Sequence, residues 1–245
     1  MIEAKSLLAG RARTLANLHA TAHVWDAALA GYRDHFPDLT RYATYREDFN
    51  GGAGSGWGPN FRLDVNTPQV SNNAAQPGNL PSNSGTTAFW GTYTGGSNGG
   101  AMYTDNVLIT ASLITPMYST ASNMNCSIVL RSPDTFTGSG TTMVVINTTT
   151  GNGSAIYTYS GSTGTARATT STSVTAGALL QCGAVGNHYA AFVGGIPLIS
   201  WDDTTGVVKC GAGQRRWGIE MEANYPLFQQ QFDSLAIDWV TAVDL

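Results

Sequence analysis

Charge is what this chain has least of. Charged residues make up 11% of its 245 positions, with two Lys and four Glu, against about 25% in an ordinary soluble domain. Scarce Lys and Glu beside 29 Gly argue against a long helical protein, because those are poor ingredients for extended helix. Without a run of Lys or Arg, and at a net charge of -4, the chain lacks the electrostatic footprint of a nucleic-acid binder. A disordered chain is excluded by 10% aromatics and 42% hydrophobic residues, enough to build a core.

Cysteine and histidine are sparse as well. Cys126, Cys182 and Cys210 are odd in number and widely spaced, which excludes a disulfide framework or a zinc ribbon. Each is expected to be a small buried hydrophobe. No cofactor or metal site is expected. No P-loop, H-E-x-x-H or EF-hand loop occurs. Glu3, Arg11 and Arg13 interrupt any signal-like apolar segment. The most apolar stretch, residues 189–201, contains Pro197 and two Gly and is too short to cross a bilayer. The expected place of synthesis is a reducing cytoplasm, with no membrane insertion.

What fills the chain instead is Ser, Thr, Asn and Gly, arranged differently in two regions. Residues 1–36 carry Ala, Leu and Arg with two Gly, Gly10 and Gly31, and no Pro, and they read as helix. Leu8, Leu15 and Leu29 share one heptad position, and Leu18, Trp25 and Tyr32 another three residues on. This is an a/d seam broken by Arg11. It predicts a docking or self-associating helix, or one packed on its own domain. The wide aromatic d positions favour a trimer or a groove in a partner. Pro37 ends it.

Residues 37–245 read as one β-sandwich domain, whose pattern turns to period two after Tyr42. Strand-like segments are 43–49, 106–114, 125–130, 141–147, 155–159, 178–184, 188–192, 217–222 and 234–243, separated by Gly, Asn, Ser and Pro. In the last, Leu235, Ile237, Trp239, Thr241 and Val243 are expected to share one face. Many short strands with turn signals predict an all-β jelly-roll sandwich. Residues 66–100 read as an excursion over a sheet edge or a binding loop.

The chemistry-bearing residues are few. Gly95-Gly96-Ser97-Asn98-Gly99 matches the hydrolase elbow G-x-S-x-G, but no helix follows to hold the strained turn. Glu220 and Glu222 alternate in a strand and so share a face, with Cα atoms roughly 6.5–7 Å apart. Such a pair can approach the ~5–5.5 Å of a retaining glycosidase. Jelly-roll glucanases, however, carry acids at three alternating positions, and Gly218 and Asn224 flank this pair. Glu220 and Glu222 are therefore expected to be non-catalytic, on a solvent face near Arg215 or Arg216. Asp202 and Asp203 are expected to stabilise a turn rather than bind calcium. His188 is expected at the surface or hydrogen bonded. Trp57, Trp90 and Tyr93 lie among Gly, Ser and Asn and are the candidates for stacking on a sugar.

Glu47-Asp48-Phe49-Asn50-Gly51-Gly52, followed by Gly54-Ser55-Gly56-Trp57, resembles the opening of lectin-like (concanavalin-like) jelly-roll domains in tail proteins of phages of actinobacteria. Phe232-Asp233-Ser234-Leu235-Ala236-Ile237-Asp238-Trp239 resembles their closing strand. The hairpin around Gly186-Asn187-His188-Tyr189 and the strand at Trp217-Gly218-Ile219 fall between them in order. The resemblance covers about residues 45–240. It implies a structural virion protein, a minor tail protein that adheres to host-surface glycan, with other virion proteins and copies of itself as partners and the virion as its location. The other readings are a carbohydrate-binding module outside a virion, a capsid decoration protein, and a glycan hydrolase using Glu220 and Glu222.

Overall fold

The computed structural model describes residues 44–50, 54–96, 98–134 and 142–245. The predicted helix of residues 1–36, with Leu8, Leu15, Leu18, Trp25 and Leu29, lies outside them, as does Ser97. In chain order the strands are β1 (Thr44–Glu47), β2 (Gly54–Ser55), β3 (Phe61–Val65), β4 (Gln69–Ser71), β5 (Ala74–Gln76) and β6 (Ser84–Tyr93). There follow β7 (Val107–Ile114), β8 (Ser119–Thr120), β9 (Cys126–Ser132), β10 (Thr142–Thr148), β11 (Ser154–Ser160) and β12 (Thr163–Thr170). The last six are β13 (Leu179–Val185), β14 (His188–Val193), β15 (Ile196–Asp202), β16 (Arg216–Tyr225), β17 (Phe232–Asp233) and β18 (Ala236–Asp244). Among the described residues the one helical turn is Ala212–Gln214.

These strands form two sheets of nine. The first runs β15-β14-β13-β7-β18-β5-β4-β2, with β1 beside β18. The second runs β12-β11-β10-β9-β16, with β6 on the other side of β16 and β3 beyond β6. The short β8–β17 pair is parallel and every other pairing antiparallel. This is the all-β sandwich that the alternation predicts. The core lies between the sheets, where Ile109, Ala111 and Leu113 of β7 and Leu180 and Cys182 of β13 belong to one buried cluster with Ile128 and Leu130 of β9 and Trp217, Ile219 and Met221 of β16.

Three expectations change. The segment 66–100 is not an excursion: it contains β4, β5 and the ten-residue β6, which joins β16 to β3. Its first half, Ser84-Gly85-Thr86-Thr87, carries no apolar side chain, so the alternation starts only at Phe89. In β18 the register shifts between Ile237 and Trp239. One extra residue reverses the facing of everything after it. Ile237, Val240 and Ala242 are consequently buried, while Trp239, Thr241 and Val243 are half-buried on the other side. Finally, Cys126 and Cys182 are buried as expected, but Cys210 is exposed.

Candidate functional site

In β16 the odd residues Trp217, Ile219, Met221 and Ala223 enter the core. Gly218, Glu220 and Glu222 therefore face away from it, on the outer side of the second sheet. Register extends this face. Glu220 stands opposite Ser127 of β9 and Trp90 of β6. Ser127 stands opposite Asn147 of β10, and Val145 opposite Tyr157 of β11. Asn147, Ser127, Glu220 and Trp90 thus form one row across four strands, because directly paired residues point the same way.

The sheet curves around that row. Trp90 on β6 and Tyr159 on β11 are four strand spacings apart, about 19 Å along a flat sheet. Their ring centroids lie 5.4 Å apart, edge to face. Both pack on Val129, Met143 and Val145. Two side chains close that gap only if the sheet is concave toward them. The face is bridged by an indole and a phenol.

Beneath the bridge the carboxyls are crowded. Glu220 is 3% exposed and accepts a short hydrogen bond from the Ser127 hydroxyl. Burial first, then the neighbouring Glu222, pushes its carboxyl up to about 8, against the pull of the Ser127 bond. Burial raises Glu222 as well, opposed by its bonds from Asn125, whose backbone N–H donates at 2.9 Å. Burial, then Glu220, Tyr157 and Glu222, pushes the Tyr159 phenol up to about 12. Asn147 is 8% exposed, and its Oδ1 accepts no hydrogen bond among the described residues. A buried acceptor left open costs about 1–3 kcal/mol and marks a place where a donor belongs.

The candidates separate here. Trp90 belongs to the concave face. Trp57 does not: it is wholly buried, its indole N–H donates to the Gln76 carbonyl at 2.9 Å, and its ring meets Phe61 edge to face. Tyr93 is 4% exposed and stacks on Trp217 at 4.6 Å. Neither ring is open to a sugar, because the Gly-rich segments around them let the chain fold these aromatics inward as core. Glu220 and Glu222 share a face as expected but do not meet the arginines. Arg215 bonds Asp105 at 2.9 Å, and Arg216 bonds Asp134 at 2.9 Å. Tyr157, Tyr159, Ser127 and Asn147 were missed. Their signal was there, since each lies on the alternate positions of a segment read as a strand, but only pairing shows that Ser127 and Asn147 share a row with Glu220 and that Tyr157 and Tyr159 share its face.

Elsewhere the turn reading of Asp203 holds. Its carboxylate accepts from the Val207 and Val208 N–H groups at 3.0 and 2.7 Å, and such bonds keep its pKa low against burial. His188 is buried with Nδ1 2.6 Å from Asp202. No group of three metal-ligating side chains occurs among the described residues, and no helix there is long and apolar enough to cross a membrane.

No curated protein matches this chain. Solved structures do match at the level of fold. SCLam, a non-specific endo-β-1,3(4)-glucanase of family GH16, is 10% identical at a TM-score of 0.50, over 84% of this chain and 92% of its own. The carbohydrate recognition domain of Emp47p is 9% identical at 0.50, over 84% and 98%. The carbohydrate-binding module CBM66 from Bacillus subtilis is 10% identical at 0.48, over 73% and 91%. A family model described as a domain of unknown function, DUF7257, matches residues 104–245.

Proposed function

This chain belongs to the DUF7257 family, a domain of unknown function, and from the chemistry of its concave face we propose that it is a glycan-binding β-sandwich. The observation that carries the reading is the buried, unbonded Asn147 acceptor in the row beside Ser127 and Glu220, on a face bridged by Trp90 and Tyr159. A sugar offers hydroxyl donors to such an acceptor and a C–H face to an aromatic ring. The fold shared with the Emp47p carbohydrate recognition domain supports it. So does the fold shared with the glucanase.

The role is binding rather than hydrolysis. Glu220 is sealed below the bridge and engaged by Ser127. Glu222 is held by Asn125, and Gly218 and Asn224 leave no third acid on the alternation. Hydrolysis of a cell-wall polysaccharide that is lost in Glu222→Gln would overturn this. The finer reading places the protein on a virion, as a minor tail protein, with the virion as its location. It rests on the opening and closing motifs around Phe49 and Trp239 and on the heptad seam of residues 1–36. Mass spectrometry of purified particles tests it.

A glycan array probed with the full chain tests the binding reading. Retention of a glycan by the wild type and its loss, about tenfold or more, in both Trp90→Ala and Asn147→Ala is the expected result. Unchanged retention in both variants would move the site elsewhere.

A further inference from the structure

A second concavity lies along the edge of the first sheet, where β4 meets the segment after β5. It is a groove of about 520 Å³ whose walls include Gln69, Ser71, Gly78, Asn79 and Met117. It shares no residue with the concave face.

Two buried glutamines hold its walls. Gln76 is 1% exposed; its Oε1 accepts from the Met117 N–H at 2.6 Å and its Nε2 donates to the Ser71 carbonyl at 2.8 Å. Gln231 is 3% exposed; its Oε1 accepts from the Leu80 N–H at 2.8 Å and its Nε2 donates to the Gly78 carbonyl at 3.1 Å and to Asp233 at 2.7 Å. A buried amide is costly unless bonded. Here both amides are bonded at either end, and the bonds to Met117, Ser71 and Gly78 run to backbone of the groove walls, fixing their shape in advance of any ligand. Gly78 completes the join. A Cβ there would sit 2.1 Å from the Thr67 carbonyl oxygen, so these walls meet only because residue 78 has no side chain.

Among the described residues no ionisable side chain lines the groove, so they offer nothing to a phosphate, a carboxylate or an ammonium group. What it presents is amide and hydroxyl. Gln69 and the Tyr118 hydroxyl both donate to Asn79 Oδ1, at 3.3 and 3.1 Å. Among the described residues nothing engages Gln69 Oε1 or Asn79 Nδ2, an acceptor and a donor of the kind a hydroxyl uses when it both gives and accepts a proton. Met117, 47% exposed, supplies apolar surface. Beside it, Gln230 bonds Ser119 and ties down a tip carrying Leu227 and the 95% exposed Phe228, whose φ of 62° is unusual for a bulky residue.

We infer that this groove is a binding site for a neutral saccharide, separate from the concave face. The test is NMR on the full chain, titrated with methyl glucoside, methyl galactoside, methyl mannoside and N-acetylglucosamine, and in parallel with inorganic phosphate and an uncharged extended peptide. At least one sugar is expected to shift the side-chain amides of Gln69 and Asn79 and the Met117 methyl together and saturably. Asn79→Ala, an exposed position, is expected to weaken that response about fivefold to tenfold, the loss of one or two hydrogen bonds. Trp90→Ala is expected to leave it intact, which separates this site from the concave face. The inference is overturned if none of the four sugars moves these three residues saturably. It fails equally if only the phosphate or the peptide moves them, or if the response disappears in Trp90→Ala.

Discussion

Glu220 is a carboxyl that the fold keeps protonated. Its pKa in the folded chain is about 8, whereas an unfolded chain releases that proton near 4.3. The folded state therefore holds a proton that the unfolded state has given up, across the whole interval between the two. Stability from this group is full below about pH 4.3 and drains away as pH rises toward about 8. Asp233, raised to about 6 by burial against its bond from Gln231, drains in the same direction over a lower interval. Melting temperature is thus expected to fall between about pH 5 and about pH 8, and Glu220→Gln to remove the larger part of that fall. At pH 8 the variant should be the more stable protein, by on the order of a few kcal/mol. A wild type whose melting temperature rises over that range would contradict the assignment. Trp57 tests the same scale from the other side. Trp57→Ala is expected to cost about 3–5 kcal/mol in denaturant melts, as a core residue does, and to leave the concave face and its ligand alone wherever the variant still folds.

The strands show how far the sequence can be read and where reading stops. Each of the nine segments read from alternation overlaps a strand of the sandwich, and the opening and closing strands pair, with Thr44 opposite Val243 and Glu47 opposite Val240. Strands escaped reading for different reasons. β12 is almost entirely exposed, so no buried face imposes a period on it. β15 carries Pro197, which is tolerated at a sheet edge but reads as a break. The bulge in β18 could not be read, since both of its faces carry apolar residues and a one-residue slip leaves the composition unchanged. Of the site, Trp90 and the Glu220/Glu222 pair were legible, whereas the row they join depends on pairing between strands far apart in the chain. β18 also supplies a test. Ile237→Ala is expected to destabilise by about 2–5 kcal/mol and Asp238→Ala, half-buried at the bulge, by much less. Equal effects in urea melts would show that the strand is peripheral.

At the scale of the whole molecule the prediction concerns assembly. The seam of Leu8, Leu15, Leu18, Trp25 and Leu29 predicts an oligomer, with a trimer favoured. Sedimentation of the full chain is expected to give that species, and a chain starting at residue 37 a folded monomer. A monomeric full chain would leave docking on a partner as the role of the segment. In the oligomer, multivalent display would multiply weak sugar contacts at the concave face, since linked sites raise effective concentration without any new contact.

The sandwich also carries a clock in its thiols. Cys126 and Cys182 are sealed in the core, each pushed well above the ordinary thiol range by burial, whereas Cys210 is exposed. A maleimide or an aromatic disulfide reagent should therefore titrate one sulfhydryl in the native protein and the other two only as the sheets part, because the thiolate is the reacting species and needs access. Cys210 becomes a single attachment point for a dye. When reagent outpaces reclosing, the slow appearance of the remaining two equivalents reports the opening rate of the β-sandwich itself.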